Sequence, residues 1–476
     1  MSTEILGKLE SAPFEPADPM PVPQSPAVTS RLILAGAGHA HLSVLQALER
    51  ARPSDVDIVL ITPLAFQTYS GMLPGWIAGH YSAQQCRIDV HALARRAGVR
   101  VIAAQLVAMD ADRQCVATSD GQRIDFDLLS LDVGSEVDRS LLEMAGPRLL
   151  ALKPLDAFFE RWPQVLAAAV HKPGYRLAVV GAGAAGVELA LAARHAFKRA
   201  GALAQVDLVA SGAGPVSGHG KAVQQRVARA LARANVVVHA ARAAGARAGL
   251  LLSDGTTLAC DCVIAATGAR APAWLGSSKL ALDGNGFVAV DAHHHSVSHA
   301  CVFAAGDVCA RQDREVGRSG VHAVHAGPVL AANLLAMMKG GALAAYRARR
   351  RSLYLLACGP RDAVASWGGW SAQGYLLWRW KDWIDRRFIA RFAPPAPAPR
   401  SRVPAFLRQG ASARVAGGAL RVALLAGTAL NVLNQGQALW AGQGMHWGHF
   451  LLNYLVPYCV ASYAAANYEF TRRKDE

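Results

Sequence analysis

Arg176-Leu177-Ala178-Val179-Val180-Gly181-Ala182-Gly183-Ala184-Ala185-Gly186 is an apolar run that breaks into a glycine-rich turn, and Val187-Glu188-Leu189 leads on into an Ala/Leu-rich stretch. Arg31-Leu32-Ile33-Leu34-Ala35-Gly36-Ala37-Gly38 repeats the pattern near the start of the chain. Each predicts a strand, a tight turn and a helix N-terminus. Glycine lets the backbone approach a pyrophosphate, and the helix end offers unpaired N–H groups and positive dipole to the anion. One such loop is weak evidence. Two, well separated and each in the right context, point to two bound dinucleotides and electron transfer between them. The fold class expected is α/β, with two Rossmann-like nucleotide-binding domains, one inserted in the other.

Outward from these loops, the chain has 476 residues, enough for two or three domains. Its net charge of +15 favours anionic partners. No recognised nucleic-acid motif accompanies the basic residues, so nucleic acid is not an expected partner. The eight cysteines include Cys260-Asp261-Cys262 but no C-x-x-C or C-x4-C pair. Dithiol–disulfide chemistry is therefore not expected, and buried, reduced cysteines are. Residues 1–28 carry Glu4, Glu10, Glu15 and Asp18 among many prolines and lack an apolar core run. They read as a disordered tail, not a signal peptide.

Val56-Asp57-Ile58-Val59-Leu60-Ile61 is the second strand of the first fold and ends at Thr62. Phe66 to Gly75, including Tyr69, Gly71 and Pro74, is too rich in Gly, Pro and aromatics for a regular element. A strand over Phe126–Asp132 ends at Val133-Gly134-Ser135. Val206–Ala210 is the second strand of the second fold, and Cys262–Ala266 its last, ending at Thr267-Gly268. The chain returns to the first fold through Val302-Phe303-Ala304-Ala305-Gly306-Asp307.

The composition changes after a Pro/Ala/Arg linker at 393–415. From Val422 to Tyr468 there is no Asp, Glu, Lys or Arg. That run suffices for two membrane-spanning helices of about 20 residues each. Arg402, Arg408, Arg414 and Arg421 precede it, and Arg472, Arg473 and Lys474 follow it. The positive-inside bias makes it a hairpin in the cytoplasmic membrane, with the body and both termini cytoplasmic. A buried helical hairpin is the other reading, since Asn431, Asn434, Gln435 and Gln437 make a poor lipid face.

The order of these motifs resembles the pyridine nucleotide–disulfide oxidoreductase family, especially its type II NADH dehydrogenase branch. Residues 31–392 look closer still to the flavoprotein module fused ahead of selenophosphate synthetase, through Gly38-His39-Ala40-His41, Tyr69–Gly75 and Trp380-Lys381-Asp382. The resemblance implies FAD on the first fold, approached by Gly36, Gly38 and His39, with Thr62 near the adenosine ribose. Tyr69 and Gly71 would line the isoalloxazine, Gly134 and Gly268 would close turns at the two sites, and Gly306 and Asp307 would meet the ribityl–pyrophosphate region. Val321–Pro328, with His325 and Gly327, resembles the helix start at the flavin's pyrimidine edge. Gly181, Gly183 and Gly186 would take NAD(P)H. Glu188 is the candidate catalytic residue, a proton-relaying acid at the flavin–nicotinamide junction; a helix-start acid favoured by the dipole is the bland alternative.

The implied domains are an FAD-binding domain at 29–173 and 273–340, an NAD(P)-binding domain at 174–272, a flavoprotein subdomain at 341–392, and a membrane hairpin at 416–476. Two features depart from the pattern. His41 stands where a third glycine is usual, so looser helix–strand packing is expected there. Both second strands lack a terminal acid for the adenosine ribose, with Thr62 and Ser211 near those positions, which leaves NADPH open beside NADH and leaves room for a degenerate site that binds no nicotinamide.

His293-His294-His295 and His299 match no metal-ligand spacing and read as solvent-exposed histidines, so no metal is expected. Trp378, Trp380 and Trp383, among Arg379, Lys381, Arg386 and Arg387, read equally as an amphipathic helix on a bilayer or as a packed helix. The hairpin's Leu420–Leu424, Asn431–Gly436 and Tyr454–Val460 resemble the small NrtS-type nitrate/nitrite transporter subunit, which implies a homo-oligomer through the hairpin. The expectation is a membrane-tethered FAD oxidoreductase with a small-molecule acceptor such as a quinone. The alternative is an anion transporter carrying a flavoprotein sensor.

Overall fold

The computed structural model describes residues 30–212, 214–317, 320–348, 352–394, 413–440 and 447–472. The expected tail at 1–28, nearly all of the linker and residues 441–446 lie outside them. Ten strands form the two nucleotide folds: β1 (Ser30–Ala35), β2 (Val56–Ile61), β3 (Arg100–Ile102), β4 (Leu128–Leu131), β5 (Leu149–Ala151), β6 (Tyr175–Val180), β7 (Ala204–Val209), β8 (Val236–His239), β9 (Cys262–Ala265) and β10 (Val302–Ala304). The helices used below are α1 (His39–Ala51), α2 (Ala184–Arg199), α3 (Lys221–Arg233), α4 (Gly320–Met338), α5 (Tyr375–Phe392), α6 (Ala413–Trp440) and α7 (Trp447–Arg472).

The first sheet is parallel, in the order β10-β4-β1-β2-β3, and the second is parallel, in the order β5-β9-β6-β7-β8. Strands covered on both faces must be apolar throughout. Leu32, Ile33, Leu34 and Ala35 of β1 and Leu177, Ala178 and Val179 of β6 are accordingly wholly buried.

The two folds repeat each other in detail. Asp127, just before β4, accepts the Arg31 N–H at 2.6 Å, and Asp261, just before β9, accepts the Arg176 N–H at 2.9 Å. The Arg31 side chain pairs with Asp57, and that of Arg176 with Asp207. In each fold an Arg near the start of the first strand pairs with an Asp on the second.

A three-stranded antiparallel sheet (Leu353–Ala357, Ala363–Trp367, Trp370–Gly374) then leads into α5. The chain divides into two compact units, 1–394 and 395–476. In the second unit α6 and α7 have 28 and 26 residues and pack as an antiparallel pair. Ala419, Ala423, Gly427, Asn431 and Gln435 recur every fourth residue and form the buried stripe of α6. A Cβ at Gly427 would lie 2.3 Å from the Tyr454 ring. Asn453 Nδ2 donates to Asn431 Oδ1 at 2.8 Å, as does Gln435 Nε2 at 3.1 Å, while Asn431 Nδ2 reaches the Phe450 carbonyl at 3.3 Å. These amides therefore glue one helix to the other.

Among the described residues, one helix is long and apolar enough to cross a membrane, and it is α4. It lies within the first unit, packed on α1: a Cβ at Gly327 would sit 2.8 Å from Ser43 Oγ and 2.9 Å from the Ala40 carbonyl.

The His293–His299 stretch corrects the expectation of exposed histidines. His294 is 3% exposed. Its Nδ1 lies 3.1 Å from the Ala304 carbonyl, while His293 bonds Asp291 and His299 bonds Asp112. Cysteines are mostly buried as expected, but Cys459 on α7 is exposed.

Candidate functional site

At the first glycine loop the backbone folds tightly against β4. Gly36 has φ +86°, and a Cβ there would lie 2.5 Å from the Asp132 carbonyl. The expected looseness at His41 is absent. The side chain is fully buried, with Nδ1 2.6 Å from the Gly36 carbonyl and Nε2 2.8 Å from Ser130 Oγ. The carbonyl can only accept, so Nδ1 carries the proton and Nε2 accepts from the serine. Burial lowers the His41 pKa to about 4, which keeps it neutral. The imidazole does the work of close packing by bonding across the gap that a third glycine would leave shut.

The two helix N-termini differ. At α1 the Asp132 carboxylate accepts from the Ala40 and His41 N–H groups at 2.8 and 2.9 Å, and burial holds this carboxyl well above its usual range. At α2 no side chain caps the helix, and a Cβ at Gly183 would meet open space. The second loop is closed on its strand side instead. Gly181 has φ +105°, and a Cβ on Gly186 would lie 1.7 Å from the Gly181 carbonyl oxygen. An open, uncapped helix end behind such a turn suits a pyrophosphate.

Asp307 follows Gly306, whose φ is +73°. Lys153 Nζ lies 2.9 Å from both Asp307 Oδ2 and Ser135 Oγ. Lys153 comes just after β5 of the second fold, so this pair ties the two folds together beside the first loop. His39 Nε2 is buried without a hydrogen-bond partner, and its ring lies 5.5 Å from that of Tyr69. An orphaned polar atom here, between the glycine loop and the aromatic loop, fits a site completed by FAD. Gly134 has φ +76°, and Thr62 is buried, with its Oγ accepting the Leu64 N–H at 3.3 Å. Gly268 is exposed, and His325 lies on the exposed side of α4.

Glu188 sits one turn into α2 and is partly buried. Its Oε1 accepts the Ala357 N–H at 2.7 Å. Burial raises its pKa to about 7, against the opposing pull of Lys381. Lys381 of α5 donates to the Gly71 carbonyl and to Asp385 Oδ2, each at 2.7 Å. Tyr69 bonds the same Asp385, and its ring stacks 4.5 Å from Phe388. Glu188, Gly71 and Tyr69 were readable from the loops. Asp132, Lys153, Lys381 and Asp385 were not, because their partners are remote in sequence.

The chain matches the model of the pyridine nucleotide-disulphide oxidoreductase family over residues 30–327. It belongs to that family. Membership makes the chain an FAD-dependent NAD(P)H oxidoreductase, with FAD and NAD(P)H as cofactors. A probable ferredoxin reductase, CtmF, of Castellaniella defragrans is 27% identical over 294 residues, covering 59% of this chain and 68% of that protein. The sulfide:quinone oxidoreductase of Aquifex aeolicus shares the fold at TM-score 0.65 and 16% identity, covering 76% of this chain and 91% of that one. NDH2 of Plasmodium falciparum, solved with NADH, does so at TM-score 0.65 and 12% identity, covering 76% and 97%.

Proposed function

We propose that this family member is a membrane-tethered oxidoreductase that passes electrons from NAD(P)H through FAD to a lipid-soluble acceptor such as a quinone. The observation that carries the reading is the two-sidedness of α5. On one side Lys381 and Asp385 reach the aromatic loop and Glu188. On the other, Leu376, Trp380 and Trp383 are 79%, 44% and 55% exposed, with Arg379, Arg386 and Arg387 among them. Exposed Trp beside Arg is the composition of a surface that rests at a lipid headgroup layer. Trp367 and Trp370, in the strands that lead into α5, extend it. One helix thus links the redox site to a lipid-facing surface, and the pair α6–α7, free of Asp, Glu, Lys and Arg from Val422 to Tyr468, supplies the tether.

In this reading Gly36, Gly38, His39, Thr62, Tyr69, Gly71, Gly134, Gly306, Asp307, His325 and Gly327 serve the FAD domain (29–173 and 273–340), and Gly181, Gly183, Gly186 and Gly268 serve the NAD(P) domain (174–272). Bound FAD supplies the electron chemistry. Glu188, titrating near neutrality, holds or releases a proton beside it. In the hairpin Asn431, Gln435 and Asn453 satisfy one another, which favours a tether over an anion path. In lipid vesicles, the full chain with Trp380→Ser and Trp383→Ser together is expected to reduce a membrane quinone several-fold more slowly, with reduction of water-soluble ferricyanide unchanged. Equal loss with both acceptors, or none with quinone, would contradict the lipid-facing role.

A further inference from the structure

Rossmann folds that hold NAD(H) place an Asp or Glu about 20 residues beyond the glycine loop, at the end of the second strand, where it bonds the ribose diol and repels a 2′-phosphate. In the second fold the acid at that distance is Asp207. The structure removes it from contention. Asp207 is wholly buried in mid-strand on β7. Arg176 Nε and Nη2 reach it at 2.8 and 3.1 Å, His239 Nε2 at 2.8 Å and Gln205 Nε2 at 3.3 Å. A carboxylate so held faces the interior and cannot meet a nucleotide at the strand's end.

The end of β7 is neutral. Val209 and Ala210 are buried, and the Ala210 N–H goes to the His239 carbonyl at 2.9 Å. Ser211 is the first exposed side chain past the strand. The parallel pairing of Val209 with His239 brings the exit of β8, and with it Arg242, to the same sheet edge. Along the chain that follows Asp207 the charge is of one sign. From Leu208 to Ser253 the sequence has no Asp or Glu and carries Lys221, Arg226, Arg229, Arg233, Arg242 and Arg247. Lys221, which opens α3, and Arg242 are exposed. The end of β7 itself lacks the group that excludes a 2′-phosphate; Asp254, the first acid after Asp207, lies near His239 at the exit of β8.

We propose that the second nucleotide site takes NADPH as readily as NADH, with Ser211 at the adenosine ribose and the acid-free end of β7 tolerating the 2′-phosphate. The inference rests on reading Gly181–Gly186 as the nicotinamide dinucleotide site. The test is calorimetric titration of the FAD-loaded full chain with the unreactive oxidised nucleotides, NADP+ and NAD+. The two Kd values are expected within about tenfold of each other, a difference of roughly 1.4 kcal/mol. Ser211→Glu is a surface change that restores the missing repulsion. It is expected to weaken NADP+ at least about 30-fold more than it weakens NAD+, since opposed like charges cost several kcal/mol. Binding of NAD+ more than about 100-fold tighter than NADP+ overturns the proposal and leaves the site assignment standing. An absence of both titrations overturns the site assignment, and the proposal with it.

Discussion

Replacing Gly186 by alanine is expected to weaken NAD(P)H binding by roughly a hundredfold or more, because a displacement of about 1 Å at a positioning element costs that much. The added Cβ would lie 1.7 Å from the Gly181 carbonyl oxygen and 2.9 Å from its carbon. Both are backbone atoms, so no side chain can swing aside. Either α2 withdraws from the loop or the loop is pushed toward the nucleotide, and in each case the N–H groups at the helix start lose their aim. FAD content should be unchanged, since the first fold is untouched. Gly183→Ala separates ligand from fold: its φ is −66° and its Cβ meets open space in the protein, so the fold should be unstrained, while the methyl enters the space assigned to the pyrophosphate and should weaken the nucleotide without loss of stability. Titration of both variants with NADP+ checks the pair. Wild-type affinity in Gly186→Ala would contradict this reading of the turn.

Lys381→Met is expected to lower stability by about 3–5 kcal/mol, the usual cost of leaving buried charge without its partner. The variant strands Asp385, whose side chain is 5% exposed, and removes the donor to the Gly71 carbonyl. Differential scanning calorimetry should show a fall on the order of 4–7 °C. The Glu188 carboxyl beside it gives a pH signature. Burial raises its pKa from 4.5 to about 7, so between those values the folded chain holds a proton that the unfolded chain has lost. Stability from this group therefore falls as pH rises through that window. Glu188→Gln should flatten that part of the profile. Lys381→Met should move it to higher pH, since Lys381 opposes the rise. An unchanged profile in Glu188→Gln would mean that Glu188 does not titrate there.

Much of the fold was legible because its signals are local. An apolar run such as Leu32–Ala35 or Leu177–Val180 followed by Gly-Ala-Gly specifies a buried strand, a turn and a helix within a dozen residues. The pairings that finish the site are not local. Asp132 caps α1 from another strand, Lys153 crosses between folds to Asp307, and Lys381 comes from the end of the flavoprotein body to hold Gly71. A sequence shows that these residues are charged, not what they face. His41 misled because a missing glycine reads as a gap, whereas a neutral imidazole can fill that gap and bond both sides. Asn431 and Gln435 were readable as polar residues ill-suited to lipid, but not as a face that closes on Asn453 of the same hairpin. His294 looked exposed by composition and is buried by the turn that returns the chain to β10.

Electrons are expected to flow from NAD(P)H through the two nucleotide sites to a lipid-soluble acceptor. The direct measurement is anaerobic rapid mixing of the FAD-loaded full chain, in lipid vesicles, with NADPH and separately with NADH, followed by quinone. The account predicts bleaching of the flavin band by both nucleotides and its recovery on quinone. A flavin band that neither nucleotide bleaches, or that bleaches and does not recover with quinone, would contradict it.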